Sequence, residues 1–189
     1  MNAKKFTRTQ LIAINALLTA IIFLFVLVPI SIGPLQLAFI PLVAVIVSAE
    51  FIGWKNGLIT GLTFGLVSLL SAFVRPNILS QVFYNPLVSV LPRVLIGVVT
   101  YFVMRGVQKG LPRLNPIFSY AIGAAMGVIT NTTLVLGTIL LLHFGATFGG
   151  LYIGWEWIVA TITGNFLIEL GVCTAITPPI VLALQKSRR

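Results

Sequence analysis

Six apolar segments, each near the length needed to cross a bilayer, follow one another with short connections: residues 10–30, 35–51, 57–74, 87–107, 116–142 and 157–184. A spanning helix takes about 20 mostly apolar residues. In hydrocarbon every backbone polar group must be satisfied inside its own segment, which leaves the helix as the form such runs adopt. Of the 189 residues only 8% are charged and 58% are hydrophobic. A soluble domain carries about 25% charge, so this chain cannot cover a water-facing surface. The expected fold is an all-α integral membrane protein, one six-helix domain over residues 1–189. The connections carry breakers: Pro29 and Pro34, Arg75-Pro76-Asn77, Pro86, Asn115-Pro116, and a glycine-rich stretch over 145–154.

Basic residues set the orientation, because Lys and Arg are retained in cytoplasmic loops. Lys4, Lys5 and Arg8, then Lys55, then Arg105, Lys109 and Arg113, and finally Lys186, Arg188 and Arg189 all fall on one side of a six-span topology. The opposite loops hold Arg75, and Arg93 lies within the fourth segment. Both termini are therefore expected in the cytoplasm. The first segment is too long for a removed signal peptide and lacks a small-residue cleavage site.

Several chemistries are excluded. The sequence has no G-x-x-x-x-G-K-[ST] loop, no G-x-S-x-G and no H-E-x-x-H, the arrangements that cradle phosphates, present a serine nucleophile or bind catalytic zinc. It has no aspartate, one cysteine (Cys173) and one histidine (His143), so no disulfide framework, multi-histidine metal site or aspartate dyad can form. His143 reads as a polar group at the outer end of the fifth segment. The chain is expected not to be an enzyme and to hold no cofactor of its own. What remains is a facilitator, an ion-driven carrier or the binding subunit of a larger pump. The halves 1–95 and 96–189 show no convincing repeat, which ion-driven carriers usually carry.

Polar residues at depth are expensive, about 2.5–3.5 kcal/mol or more for a charge near the bilayer centre, so each needs a partner or a function. At 1.5 Å per residue, Arg93 lies about 12 Å below Asn85, Asn165 about 12 Å and Glu169 about 18 Å below Trp157, and Asn131 about 16 Å below Leu142. All four fall at similar depth on three helices. Asn165 and Glu169, four apart, share a face, and Thr161 and Thr130 extend the same surface. Two readings fit. Either Arg93 pairs with Glu169 while the asparagines bond between helices, or the four line a pocket open to the outside. Tyr84, Asn85, Trp155 and Glu156 stand above it, suited to a lid. Trp157 reads better as an interfacial belt residue. Glu50, beside Lys55, reads as half of an interfacial ion pair, and Arg75 as a rim group or a solvated loop residue.

Small residues line two other segments: Ala13, Ala16 and Ala20 on the first, and Gly57, Gly61 and Gly65 on the third. A further pair, Gly123 and Gly127, lies on the fifth. Such stripes permit close helix approach in lipid. For the first and third segments, an intermolecular face is as good a reading as internal packing.

Together these features resemble a known family. A small six-span protein with cytoplasmic termini, no ATPase motif and Ala16-x-x-x-Ala20 on its first span resembles the substrate-binding S components of energy-coupling factor (ECF) vitamin transporters. The segment Tyr84-Asn-Pro-Leu-Val-Ser-Val-Leu-Pro-Arg93-Val-Leu-Ile-Gly97 is most similar to the pantothenate-specific type. The resemblance covers essentially the whole chain. It implies residence in a bacterial cell membrane, high-affinity capture of a vitamin at the outer face, and three partners: one transmembrane coupling protein (T component) and two cytoplasmic ATPases that hydrolyse Mg-ATP. It further implies that spans 1–3 meet the coupling protein, with Ala13, Ala16, Ala20, Gly57, Gly61 and Gly65 at that contact, and that spans 4–6 bind substrate. Transport would follow from toppling of the whole subunit in the membrane.

For the substrate, an arginine at depth suits a carboxylate, which a guanidinium binds through two parallel hydrogen bonds. Asn131 and Asn165 suit hydroxyls and amides. Pantothenate carries all three groups. Hydroxymethylpyrimidine, stacked by Tyr84 or Trp155, is the runner-up, and riboflavin, folate and lipoate stay open. A proton-coupled carrier or exporter relying on Glu169, or a scaffold without ligand, are the readings outside this family.

Overall fold

The computed structural model describes residues 6–28, 30–32, 35–37, 39–76, 80–148 and 150–187. Lys4, Lys5, Arg188 and Arg189, used above to orient the chain, lie outside the described residues, as do the Pro29, Pro34 and Asn77 breakers. The elements run in the order α1 (Arg8–Leu27), β1 (Ile30–Ile32), β2 (Leu35–Leu37), α2 (Phe39–Phe51), α3 (Trp54–Val74), α4 (Ser80–Phe83), α5 (Pro86–Ser89), α6 (Leu91–Gly110), α7 (Pro116–His143), β3 (Thr147–Phe148), β4 (Leu151–Tyr152), α8 (Trp155–Thr161), a π-helical turn (Ile162–Phe166) and α9 (Leu167–Ser187). The architecture is all-α apart from two short antiparallel hairpins, β1–β2 and β3–β4. Five helical stretches are long and apolar enough to cross a membrane: Arg8–Leu27, Trp54–Val74, Pro86–Gly110, Pro116–His143 and Trp155–Ser187. This is an integral membrane protein.

The second apolar segment differs from its expected form. Its first residues, Leu35–Leu37, form the return strand of a hairpin, and the helix begins at Phe39. At 1.5 Å per residue, 13 residues reach about 20 Å, short of the roughly 30 Å hydrocarbon core. This helix instead fills the centre of the bundle. It packs on α1, α3, α6, α7 and α9, and the whole run from Ala44 to Glu50 is buried. Leu42, Val45 and Ile46 join Ile22, Phe64, Ile96, Ala124, Val128 and Cys173 in the main core.

Local chemistry explains where the helices start. Thr7 and Gln10 form a reciprocal capping box at α1, satisfying two of the donors that a helix start leaves unbonded. Asn85 and Asn115 cap α5 and α7, each followed by a proline at the first helical position, where its missing N–H costs nothing.

The glycine stripe of α3 packs inside the chain, and this corrects its assignment to a partner contact. A methyl group at Gly57 would lie 3.0 Å from Gly97 Cα and 2.7 Å from Ala49 Cβ. At Gly61 it would strike the Arg93 carbonyl, and at Gly65 it would lie 2.7 Å from Val90 Cα. Gly57, Gly61 and Gly65 therefore bring the α3 backbone directly onto α6, and no partner can reach that face. Gly123 and Gly127 likewise face Glu50 and Thr100 inside the bundle.

The alanine stripe behaves oppositely. Ala13, Ala16 and Ala20 are all exposed, and Ile22 is the only fully buried residue among the 20 of α1. That helix is held by α3 along one edge. Asn56 donates to Asn15 over 3.0 Å, Ser71 donates to the Val26 carbonyl over 3.3 Å, and Arg75 donates to the Leu27 carbonyl. Arg75 is exposed and, through this bond, closes the end of α1. Ala16, Ala20, Phe23, Leu24 and Leu27 form one open, mostly apolar surface along α1.

Candidate functional site

The polar residues at depth gather at the start of α6. The chain breaks its helix at Val90, between α5 and α6, and Pro92 then re-enters helix with Arg93 one turn inside. The Arg93 side chain is buried, with 7% of its surface exposed. Its Nη1 donates back to the Val88 carbonyl at the broken turn. The guanidinium lies between two rings, 5.5 Å from the centroid of Phe83 on α4 and 5.7 Å from that of Phe64 on α3. Both distances are within the range in which a ring face attracts a cation. The Arg93 Nε has no hydrogen-bond partner among the described residues.

Glu169, on α9, is also buried, and its carboxylate acts electrostatically on Arg93. The structure therefore brings together the two charges that sequence placed at matched depth. One turn further along α9, the Cys173 thiol is fully buried, points to the Phe39 carbonyl at 3.9 Å and also lies in the field of Glu169. Asn131 is buried on α7, the helix packed against both α6 and α9, and its Oδ1 has no partner among the described residues. Asn165 is half-buried in the π-helical turn, a form that appears frequently at functional sites.

Other expected members are used elsewhere. Thr130 donates to the Met126 carbonyl and Thr161 to the Trp157 carbonyl, so both hydroxyls serve their own helices rather than extending the polar surface. The Asn85 side-chain oxygen accepts from Leu87 N–H over 2.9 Å as the α5 cap. Tyr84 stacks on Phe73 at 4.5 Å with a 12° angle between the rings, which occupies one of its faces. Trp155 is exposed, with only a ring edge against Phe144. Trp157, expected in the interfacial belt, packs against the cluster of Val82, Val88, Ile139 and Ile153. Glu50 is buried and does not pair with Lys55, which is exposed with its ammonium 5.6 Å over the Trp54 ring. Among the described residues no three His, Cys, Asp or Glu gather to hold a metal ion.

Sequence reading missed Phe64 and Phe83. Phe64 sits on the helix assigned to partner contact, and Phe83 ends the short helix α4, separated from α5 and α6 by Tyr84 and Asn85. Neither has a periodic signal in sequence.

The structure gathers here a buried cation near two aromatic rings, a buried carboxylate that acts on it and a buried amide oxygen without a partner among the described residues. The family model for the substrate-specific component of ECF transporters matches residues 10–181. The chain belongs to that family. S components are substrate-binding transport subunits, not enzymes; the ATPase resides in partner subunits. The pantothenic acid transporter PanT of Lactococcus lactis subsp. cremoris is 29% identical over 163 residues, a match covering 76% of this chain and 76% of that protein.

Proposed function

We propose that this S component captures pantothenate at the outer face of the bacterial membrane for ATP-driven uptake. The observation that carries the reading is Arg93: a buried guanidinium with an unused Nε donor, set opposite a carboxylate and beside an amide-bearing helix. An anionic substrate replaces water-free burial cost with charge-assisted hydrogen bonds, the stronger class. Asn131 and Asn165 take the hydroxyls and the amide, while Tyr84, Asn85 and Trp155 stand at the mouth. Similarity to a pantothenic acid transporter supports the choice of substrate. Hydroxymethylpyrimidine is less well served, since Tyr84 already stacks on Phe73.

On this reading the chain crosses the membrane six times, the second crossing made by the protein-buried α2 together with the hairpin before it, with both termini in the cytoplasm. The exposed Ala13, Ala16 and Ala20 face of α1 docks on the T component, which in turn engages two cytoplasmic ATPases. Small side chains keep that contact smooth as the subunit topples. Calorimetric titration of the purified chain with pantothenate, with hydroxymethylpyrimidine as the comparison, tests the substrate. Saturable pantothenate binding is expected, and binding of hydroxymethylpyrimidine alone would overturn the choice.

A further inference from the structure

A second buried carboxyl lies away from the Arg93 site, near the opposite end of the bundle. Glu50, the penultimate residue of α2, is 6% exposed, and both its carboxyl oxygens lack a hydrogen-bond partner among the described residues. It points at the glycine face of α7. A methyl group at Gly123 would lie 2.5 Å from Glu50 Oε1, 2.9 Å from Met104 Cβ and 3.3 Å from the Thr100 carbonyl oxygen. One turn on, Gly127 makes the same room for the Thr100 hydroxyl. That hydroxyl is fully buried and also without a partner among the described residues. Two unsatisfied oxygen-bearing side chains thus lie against one face of α7, each in the space that a side chain at Gly123 or Gly127 would fill.

The charged groups on the elements packed against α2 are exposed or turned elsewhere: Arg8 of α1 and Lys109 of α6 are exposed. Lys55 of α3 lies over Trp54, and Arg105 of α6 lies over Tyr101 at 5.6 Å. Tyr120 of α7 accepts from Gln185 over 2.6 Å. On α9, Glu169 faces Arg93, Cys173 points to Phe39 at the other end of α2, and Lys186 is exposed. No protein cation compensates Glu50 among the described residues. An isolated carboxylate in this setting costs several kcal/mol, a cost that a bound proton or cation removes.

We propose that Glu50 and Thr100 form a buried, exchangeable site for a single small monovalent cation, a proton or a sodium ion, between α2, α6 and α7. Either occupant cancels the same charge on the same oxygens: a proton makes the carboxyl a donor to its surroundings, and sodium is held by the carboxylate and hydroxyl oxygens. The site is independent of the substrate reading, because it shares no residue with the Arg93 site.

The test compares thermal unfolding of the full chain and of Glu50→Gln in detergent, from acid to alkaline buffers, in choline chloride and in sodium chloride. Deprotonation in choline strands the carboxylate, so wild-type stability is present at low pH and lost as pH rises. A fall of at least about 3 °C is expected, whereas Glu50→Gln holds level. Recovery of the alkaline wild type in sodium identifies sodium as an occupant, and no recovery identifies the proton. Parallel curves for the two proteins in both salts would overturn the proposal. Should Glu50→Gln fail to fold, Thr100→Val takes its place, together with infrared detection of a protonated carboxyl in wild type. That band should vanish at high pH or on adding sodium, and a band indifferent to both would equally overturn the site.

Discussion

The Arg93 guanidinium sits 5.5 Å from the ring centroid of Phe83, ten residues earlier in the chain. Phe83 ends α4, a separate short helix that Tyr84 and Asn85 divide from α5 and the start of α6. Phe64 closes the other side from α3. Arg93 is therefore positioned by packing and by its bond to the Val88 carbonyl before any ligand arrives. Replacing Phe83 with Leu keeps an apolar cover and removes the ring face. Pantothenate affinity should fall by about 1 kcal/mol, roughly fivefold, with folding largely preserved. Equilibrium binding on the purified variant checks it, and an unchanged affinity would show that the rings do not set the guanidinium.

The α3–α6 contact has no slack. Gly97→Ala puts a methyl group 2.6 Å from Gly57 Cα, and overpacking of this kind costs about 1–3 kcal/mol. Gly106, on the same helix, has nothing within 4 Å of the added methyl, so Gly106→Ala should gain up to about 1 kcal/mol from helix propensity. Detergent unfolding midpoints should move in opposite directions. Equal shifts would contradict the close packing.

The exposed alanine face gives a different signature. Ala16→Trp and Ala20→Trp add bulk at exposed positions of α1, so binding by the isolated subunit should remain at wild-type affinity. Uptake by the assembled transporter should be lost, because the added ring holds the partner helix away. Vitamin uptake in cells co-expressing the partners measures it. Normal uptake by both variants would move the docking surface off α1.

Orientation is open to chemistry. In a Cys173→Ala background, single cysteines replacing Arg75 or Thr147 should react with an impermeant thiol reagent in intact cells, and one replacing Lys109 should react only after lysis. All three positions are exposed. Outside labelling at Lys109 would reverse the topology.

Much of the fold was legible because lipid imposes one rule on every segment. Apolar length located the long helices, and Asn115-Pro116 marked the start of α7. Depth arithmetic put Arg93 and Glu169 at similar depth even though a break at Val90 and the π-helical turn Ile162–Phe166 interrupt the two helices between marker and charge. Where reading failed, the missing quantity was a helix's rotation about its own axis. Gly57, Gly61 and Gly65 looked the same as Ala13, Ala16 and Ala20, yet one stripe is sealed against α6 and the other is open. Glu50 looked like an interfacial ion pair because Lys55 is near in sequence. The chain breaks between α2 and α3 at Gly53, with φ +139°, and Lys55 turns to Trp54 instead. Phe83 reaches Arg93 from the short helix α4, which no periodicity announces.

The most direct test of substrate capture is pantothenate titration into wild type, Arg93→Met, and Arg93→Met combined with Glu169→Gln. If Arg93 recognises the carboxylate, the single variant should lose at least about 2 kcal/mol, about 30-fold in affinity. The double variant, which no longer strands a buried carboxylate, should regain stability without regaining binding. A stable double variant that binds pantothenate at wild-type affinity would contradict the account, leaving Arg93 as no more than the counter-charge of Glu169.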